Sequence, residues 1–431
     1  MNQPGAARRS VCGTSNVKPE GICVGVLAVA THLATLLRGW SDPQRFLSLP
    51  DSREYLAIAA NLRAGHGFSQ AMQAPYAPDL LRTPVYPALL ALISGPSGPD
   101  VRWAAVANSV IGLLTYLAAC LWVRRYLGPW PAIAAGLLLA TDLTSLTYHH
   151  LVLTETAFAA LLLCAAWFLA AERTMTMRSA MAAGVALGVG GLCRPIAVLL
   201  GPALLPAFAA GRPTQAWRPI LSRYLACNVI CGALLALWVL RNLIAFGDAQ
   251  LTSVGGMNLY LHRAAYVLAY REGVDVEVVR ARLEREFEVD TRGLSSAEKT
   301  RWLESRGRRV ILEHPLVYAT VHLQGIARMA APEHDEVFSL LGVNPSSALA
   351  HSLVAFGWLH LFVLYGCVCV GIVRTQQLSI ARPLVVTVLT MTVYVAVIGG
   401  PEMYPRFRAP LMPLLAAVAA LAFMDQRAAA S

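Results

Sequence analysis

Between Asp51 and Pro87 an otherwise apolar chain carries carboxylates, arginines and aromatics: DSREYLAIAANLRAGHGFS and, after a short gap, PDLLRTPVYP. Ionisable groups are costly near hydrocarbon, so a membrane protein that collects them here needs them for something. The residue types suggest two chemistries. Tyr55, Ile58, Ala59 and Leu62 recur at helical spacing and predict an amphipathic helix over 51–64. Asp51 can cap that helix or act as a catalytic carboxylate, and the two roles are compatible. Arg82 stands just before the helix that Pro84 opens, where it can anchor in lipid headgroups or hold a phosphate. Gly65-His66-Gly67-Phe68 ends the first helix in a glycine turn with a solvated histidine. Glu54 reads as solvated, or paired with Arg53 or Arg45.

The elements that position these residues are set by composition. The chain has 431 residues, 56% hydrophobic and only 14% charged, with a mean hydropathy of +0.54. Soluble domains carry about 25% charged residues, so the deficit argues for a polytopic membrane protein. The net charge of +10 fits positive-inside anchoring and attraction to anionic membrane lipids. No separate basic domain or recognition motif supports nucleic acid as a partner. Of the nine cysteines, Cys23, Cys120, Cys164, Cys193, Cys227, Cys231, Cys367 and Cys369 fall in apolar stretches, so no disulfide framework is implied. The run at 21–40 lacks a small-residue cleavage site and reads as an uncleaved anchor.

Apolar runs long enough to cross about 30 Å fall near 21–40, 101–123, 127–147, 151–171, 224–244, 349–373, 383–399 and 409–424. A further run at 179–210 carries Arg194-Pro195 near its middle and is expected to split into two short spans. The expected fold class is therefore an all-α integral membrane protein of about ten transmembrane helices, with interfacial helices in the first outer loop and a mostly helical long outer loop. Its organisation reads as a 1–20 cytoplasmic tail and a 21–247 transmembrane module that includes outer loop 41–100. After these come a 248–348 outer loop, 349–424 C-terminal helices and a 425–431 tail. Arginines in the connectors near 124–125, 172–178, 211–223 and 374–382 place those connectors inside by the positive-inside rule. Alternation then puts the 41–100 loop, His149, His150, Arg194, Arg241, the 248–348 loop and Glu402–Arg408 together on the outer face. Within the long loop, Val276–Glu288 reads as a helix, and Ser295 to Glu298 as a capping box. Leu316, Val317, Thr320, Leu323 and Ile326 suggest an interfacial helix.

These residues resemble a known family. Asp51 with Tyr55, Ala59, Asn61-Leu62 and Gly65-His66-Gly67-Phe68, then Arg82-Thr83-Pro84-Val85-Tyr86-Pro87, are similar to the first outer loop of GT-C-type membrane glycosyltransferases. These include the protein O-mannosyltransferases and the bacterial aminoarabinose transferases. Further similarities come in order: Leu153-Thr154-Glu155-Thr156, then Gly184–Gly191 leading into Leu192-Cys193-Arg194-Pro195. Trp238, Arg241-Asn242 and Phe246-Gly247 come next, and finally Tyr404-Pro405-Arg406-Phe407-Arg408-Ala409-Pro410. The resemblance spans residues 45–410.

It implies an enzyme that moves a sugar from a polyprenyl-phosphate carrier to an acceptor hydroxyl, usually with inversion. Asp51 would be the general base. Arg82, Arg194, Arg241, Arg406 and Arg408 would hold the leaving phosphate, whose oxygens suit the guanidinium fork. Glu155 would be a second acidic group, although an acid in a helix's first turn is also favourable by itself. Tyr55, Tyr86, His150 and Tyr404 are the expected substrate contacts. No cofactor is certain. A divalent metal ion is the one candidate, at Asp51 and Glu155 with His149 or His150. The acceptor is a glycan, a lipid or a protein; the Asp-Glu doublet of the protein mannosyltransferases is absent, which argues against a protein. The Arg-rich, Lys-poor composition associates with a bacterium, hence a multi-pass inner-membrane protein with its site facing the periplasm. The rival reading is a flippase or transporter of lipid-linked sugar, which internal repeats and midplane polar residues would favour.

Overall fold

The computed structural model describes residues 19–47, 50–95, 98–170, 175–210, 217–375 and 381–424. The 1–18 and 425–431 tails and parts of three arginine-bearing connectors (171–174, 211–216 and 376–380) lie outside the described residues. Among the described residues the fold is all-helical, with one isolated bridge between Gly95 and Gly98.

The first half runs α1 (Pro19–Trp40), α2 (Pro50–Ala64), α3 (Val85–Ile93), α4 (Val101–Leu127), α5 (Pro129–Ala140), α6 (Leu143–Tyr148), α7 (Glu155–Ala170) and α8 (Met177–Cys193). Two single-turn helices, α9 (Leu200–Ala203) and α10 (Leu205–Ala209), lead to the long α11 (Trp217–Phe246). Five described helices are long and apolar enough to cross a membrane: Glu20–Trp40, Val101–Leu127, Trp217–Phe246, Ala348–Thr375 and Pro405–Phe423. Pro129–Ala140, Glu155–Ala170, Met177–Cys193 and Arg382–Ile398 are shorter apolar helices. Val26, Leu37, Val229, Ile244 and Phe362 point outward from the long helices. Such an apolar exterior suits a bilayer and would be poorly solvated by water.

The apolar runs at 127–147 and 151–171 are not continuous spans. α5 stops at Ala140, and the Asp142 side chain accepts the Ser145 N–H at 2.9 Å to start α6. α7 begins only at Glu155. At the other expected break, α8 ends at Cys193 and Arg194 is extended, because Pro195 has no N–H to continue the helix. Beyond Pro195 the chain forms not one short span but α9, which contains Pro202, and α10, which Pro206 opens. α8 lies tight against α11: a Cβ on Gly184 would collide with the Cys227 carbonyl oxygen. That glycine-lined approach is how helices pack closely where lipid supplies no hydrophobic drive between them.

The 248–348 segment folds on its own core. It contains α12 (Val254–Met257), a π-helix (Asn258–Ala264), α13 (Ala265–Glu272), α14 (Val276–Asp290), α15 (Ser296–Glu313), α16 (Pro315–Ala330) and α17 (Asp335–Leu341). Tyr260, Leu261, Val279, Leu283 and Leu303 form its buried cluster. The Ser295–Glu298 capping box is formed and opens α15. α18 (Ala348–Thr375) and α19 (Arg382–Ile398) return to the apolar body. The final segment alternates 3-10 turns with α20 (Met412–Ala419), and packs against α4, α5, α7 and α18. It is the most enclosed of the long spans, with 78% of its apolar window buried.

Candidate active site

Separate elements deliver the charged residues. Asp51 lies in the first turn of α2, which is held down by buried Tyr55, Ile58 and Ala59. Arg82 sits in the turn before α3, and its N–H donates to Asp79 Oδ1 at 2.7 Å. Glu155 is the first residue of α7, and Arg194 occupies the break after α8. Arg406 falls in the 3-10 turn Pro405–Phe407.

These groups meet in one network. Arg82 Nη2 donates to Asp51 Oδ1 at 2.7 Å, and its Nε donates to Glu54 Oε2 at 2.5 Å. Arg406 Nη2 donates to Asp51 Oδ2 at 3.0 Å, while its Nε donates to Glu155 Oε1. Arg194 Nη1 reaches the same Glu155 oxygen at 2.5 Å. Asp51 thus has both oxygens taken by guanidinium groups. Glu155 is almost fully buried, and its Oε2 is a buried acceptor with no partner. Aromatic faces support the cations: the Tyr55 ring lies 5.2 Å from Arg82 and the Phe407 ring 5.3 Å from Arg194. The Tyr404 hydroxyl accepts from Arg406 Nη1 at 3.4 Å.

Burial by itself would raise the Asp51 carboxyl, but Arg406 and Arg82 outweigh it and hold the group down at about 2. Burial pushes the neighbouring Tyr55 hydroxyl up to about 12, against the pull of Arg82. The network pairs Asp51, Glu54 and Glu155 with Arg82, Arg194 and Arg406, so it carries no excess charge. An anion entering here must exchange partners with a carboxylate rather than fill an empty cationic hole.

Several sequence expectations need correction. Glu54 pairs with Arg82, not with Arg53 or Arg45. Arg241 is not in the network: it donates to the Asp79 carbonyl at 2.9 Å and to Asn242 Oδ1 at 2.8 Å. Its guanidinium lies among the Phe68, Trp238 and Phe246 rings at 5.5, 4.8 and 5.4 Å, so it ties α11 to the 66–82 loop. Arg408 is buried and donates to the Met329 and Ala331 carbonyls and to Thr144 Oγ1, closing the end of α16. Tyr86 is wholly buried, with its hydroxyl accepting from Asn108 Nδ2 at 2.8 Å; it supports Tyr55 edge-on at 5.1 Å instead of facing a substrate. His150 is also buried, its ring nitrogens against the Leu146 and His32 carbonyls at 2.6 and 3.1 Å. It is unable to join Asp51 and Glu155 in a metal site. Among the described residues no three His, Cys, Asp or Glu side chains are placed to hold a metal ion. A divalent cation at Asp51 would also stand against Arg82 and Arg406. Among the described residues, Asp51 and Glu155 are engaged by arginines.

Sequence reasoning overlooked the other side of the site. Thr252 Oγ1 donates to the Leu81 carbonyl at 2.5 Å and the Ser253 N–H to the Leu80 carbonyl at 3.0 Å, beside Arg82. Arg263 Nε pairs with Glu402 Oε1 at 3.1 Å and its Nη2 donates to the Ile398 carbonyl at 2.6 Å, beside Tyr404 and Arg406. The π-helix follows the first clamp in sequence, carries the second through Arg263, and also carries His262. π-helices cluster at functional sites, but a single widened turn leaves no periodicity in the sequence to find it by.

Residues 81–241 match the family described as dolichyl-phosphate-mannose-protein mannosyltransferase. That segment holds Arg82, Glu155, Arg194 and Arg241, and leaves Asp51 and Arg406 outside it. No curated protein matches the chain in sequence. Among solved structures, the archaeal oligosaccharyltransferase AglB from Archaeoglobus fulgidus, in complex with an inhibitory peptide and a dolichol-phosphate, is similar over 93% of this chain and 50% of its own. The TM-score is 0.51 at 15% identity, so this chain spans about half the length of that relative. ArnT from Cupriavidus metallidurans bound to undecaprenyl phosphate is similar over 92% of this chain and 77% of its own, with a TM-score of 0.41 at 14% identity. The fold is that of the GT-C-type membrane glycosyltransferases.

Proposed function

We propose that the protein is a membrane glycosyltransferase that takes a sugar from a polyprenyl-phosphate carrier and places it on an acceptor hydroxyl. The observation that carries this reading is the bridge that Arg406 makes between Asp51 and Glu155, with Arg82 on the second Asp51 oxygen. It joins a carboxylate able to accept a proton to cations able to receive a phosphate.

In this reading the acceptor oxygen attacks the anomeric carbon, its proton passes to Asp51, and the bond to the carrier phosphate breaks on the opposite face. The anomeric centre inverts. Arg82, Arg194 and Arg406 take the charge that develops on the leaving phosphate, where a preorganised donor in a dry site is worth most. Asp51 at about 2 is a weak base while both guanidiniums hold it. When the donor phosphate draws Arg82 and Arg406 toward itself, Asp51 loses their support and its basicity rises. Donor binding thereby prepares the base. The bundle would lie in a bacterial inner membrane with about ten crossings and this network at the periplasmic surface.

The test is to incubate purified protein with a panel of polyprenyl-phospho-sugars and follow release of sugar or its transfer to added acceptor. Turnover of at least one donor by the parent, and turnover lower by about 10²–10⁴-fold in Asp51→Asn, is expected. Transfer by Asp51→Asn at the parent rate removes the base assignment.

A further inference from the structure

Beside the Asp51 network lies a second group of polar side chains from the 248–348 segment and the segment before Arg406. Glu402 gives Oε1 to Arg263, but its Oε2 is buried and has no partner. Arg280, on α14, gives Nη1 to both Glu277 oxygens at 2.6 and 2.7 Å, while its Nε is also buried without a partner. Arg280 and Glu402 lie within electrostatic reach of each other. His262 lies on the π-helix next to Arg263, the residue that holds Glu402. The backbone is shaped to keep Glu402 there. Gly400 has φ +81°, and a Cβ on it would collide with Glu402 Oε2 and crowd Arg263 Nε.

Buried polar groups are nearly always hydrogen-bonded, so an orphaned acceptor and an orphaned donor beside a reaction site call for a third party. We propose that Glu402, Arg280 and His262 form a subsite for the ring hydroxyls of a sugar, with Glu402 Oε2 accepting from one hydroxyl and Arg280 Nε donating to another. The ligand class is dictated by the atoms: neighbouring hydroxyls are each donor and acceptor, and so answer both orphans at once. Burial and the Arg280 charge bring the His262 imidazole down to about 4, against the pull of Asp51, so it is neutral and able to serve either role toward a hydroxyl. This inference rests on the transferase reading and names the sugar side of the same site. The hydroxyls belong to the transferred sugar or to a glycan acceptor.

The experiment uses full-length protein in detergent. Saturation-transfer NMR reads binding of methyl glucoside, galactoside, mannoside and arabinoside, and retention of undecaprenyl phosphate is measured in parallel. Arg280→Met removes the orphaned donor, and Glu402→Gln keeps the size of its side chain. Glu277→Ala removes only the outer partner of Arg280. Saturable binding of at least one glycoside to the parent is expected. It should weaken at least about tenfold in Arg280→Met and in Glu402→Gln, and much less in Glu277→Ala, with phospholipid retention unchanged. No saturable glycoside binding by the parent, or equal binding by all four proteins, overturns the subsite. Loss of undecaprenyl phosphate retention in the parent instead counts against the transferase reading, and leaves the sugar result standing. With turnover in hand, a raised KM for the polyprenyl-phospho-sugar alone assigns the hydroxyls to the donor, and a raised KM for the acceptor alone assigns them to the acceptor.

Discussion

Arg406 stands between Asp51 and Glu155, giving Nη2 to the first and Nε to the second, across sequence separations of 355 and 251 residues. One side chain near the C-terminus thus joins α2 to the start of the apolar α7. Removing it leaves Glu155 buried with Arg194 as its remaining partner. Breaking one side of a buried ion pair costs about 3–5 kcal/mol. Arg406→Met should therefore lower the melting temperature in detergent clearly. Arg406→Lys should recover little, because an ammonium lacks the fork that spans two carboxylates. Adding Glu155→Gln to Arg406→Met should return part of the loss. Additive losses in that double-mutant cycle would mean that the two groups are not coupled.

Asp51→Asn tests the chemistry with little change of shape. The amide keeps an oxygen for one arginine but has no basicity to take a proton. General-base contributions run to about 10²–10⁴-fold, so turnover should fall by that much while membrane insertion and undecaprenyl phosphate retention stay near the parent. A fall below tenfold would assign the proton to another group.

The stability of the site depends on pH in a defined direction. Asp51 is lowered from 3.8 to about 2 on folding. A carboxyl depressed in the folded state adds stability that is fully present above its unfolded pKa and is lost as pH falls through the folded one. The contribution, about 2 kcal/mol, should thus be constant from neutrality to about pH 4 and disappear toward pH 2. Melting curves of the parent and Asp51→Asn across that range check it: the difference between them should shrink on acidification. A difference that grows on acidification would reverse the sign and exclude the ion pairs as its cause.

Arg241 and Arg408 should behave unlike Arg82. Arg241→Ala removes the cation from among Phe68, Trp238 and Phe246 and frees the Asp79 carbonyl. It should raise hydrogen exchange in residues 66–82, and disturb donor and acceptor use alike. Arg408→Leu should reduce yield and melting temperature through the end of α16, while the protein that folds keeps the parent's donor KM. Arg82→Lys should raise the donor KM selectively. A selective donor effect from Arg408→Leu would return that residue to the phosphate site.

Asp51, Arg82, Glu155, Arg194 and Arg406 could be named from the sequence because a charge is conspicuous in an apolar chain, and because the GT-C resemblance matched motifs around each of them. Arg241 and Arg408 were conspicuous for the same reason, yet they hold backbone carbonyls outside the network. Residue type shows that a guanidinium needs acceptors, but not whether they will be carboxylates at a site or carbonyls at a helix end. Glu54 shows the same limit, since its partner is 28 residues away rather than the nearby Arg53 or Arg45.

Whatever depends on neighbours along the chain was determined by the sequence alone. That includes the lengths of the apolar runs, the break that Pro195 imposes after Arg194, the Ser295–Glu298 cap and the amphipathic helix that carries Asp51. The tertiary structure alone decided the pairings. Asp51 meets Arg406, Glu402 meets Arg263, and Thr252 meets the Leu81 carbonyl, through contacts between segments far apart in sequence. Hydrophobic period and helix capping are short-range and leave a local signature, whereas ion pairing depends on whichever groups the packed helices bring within about 4 Å.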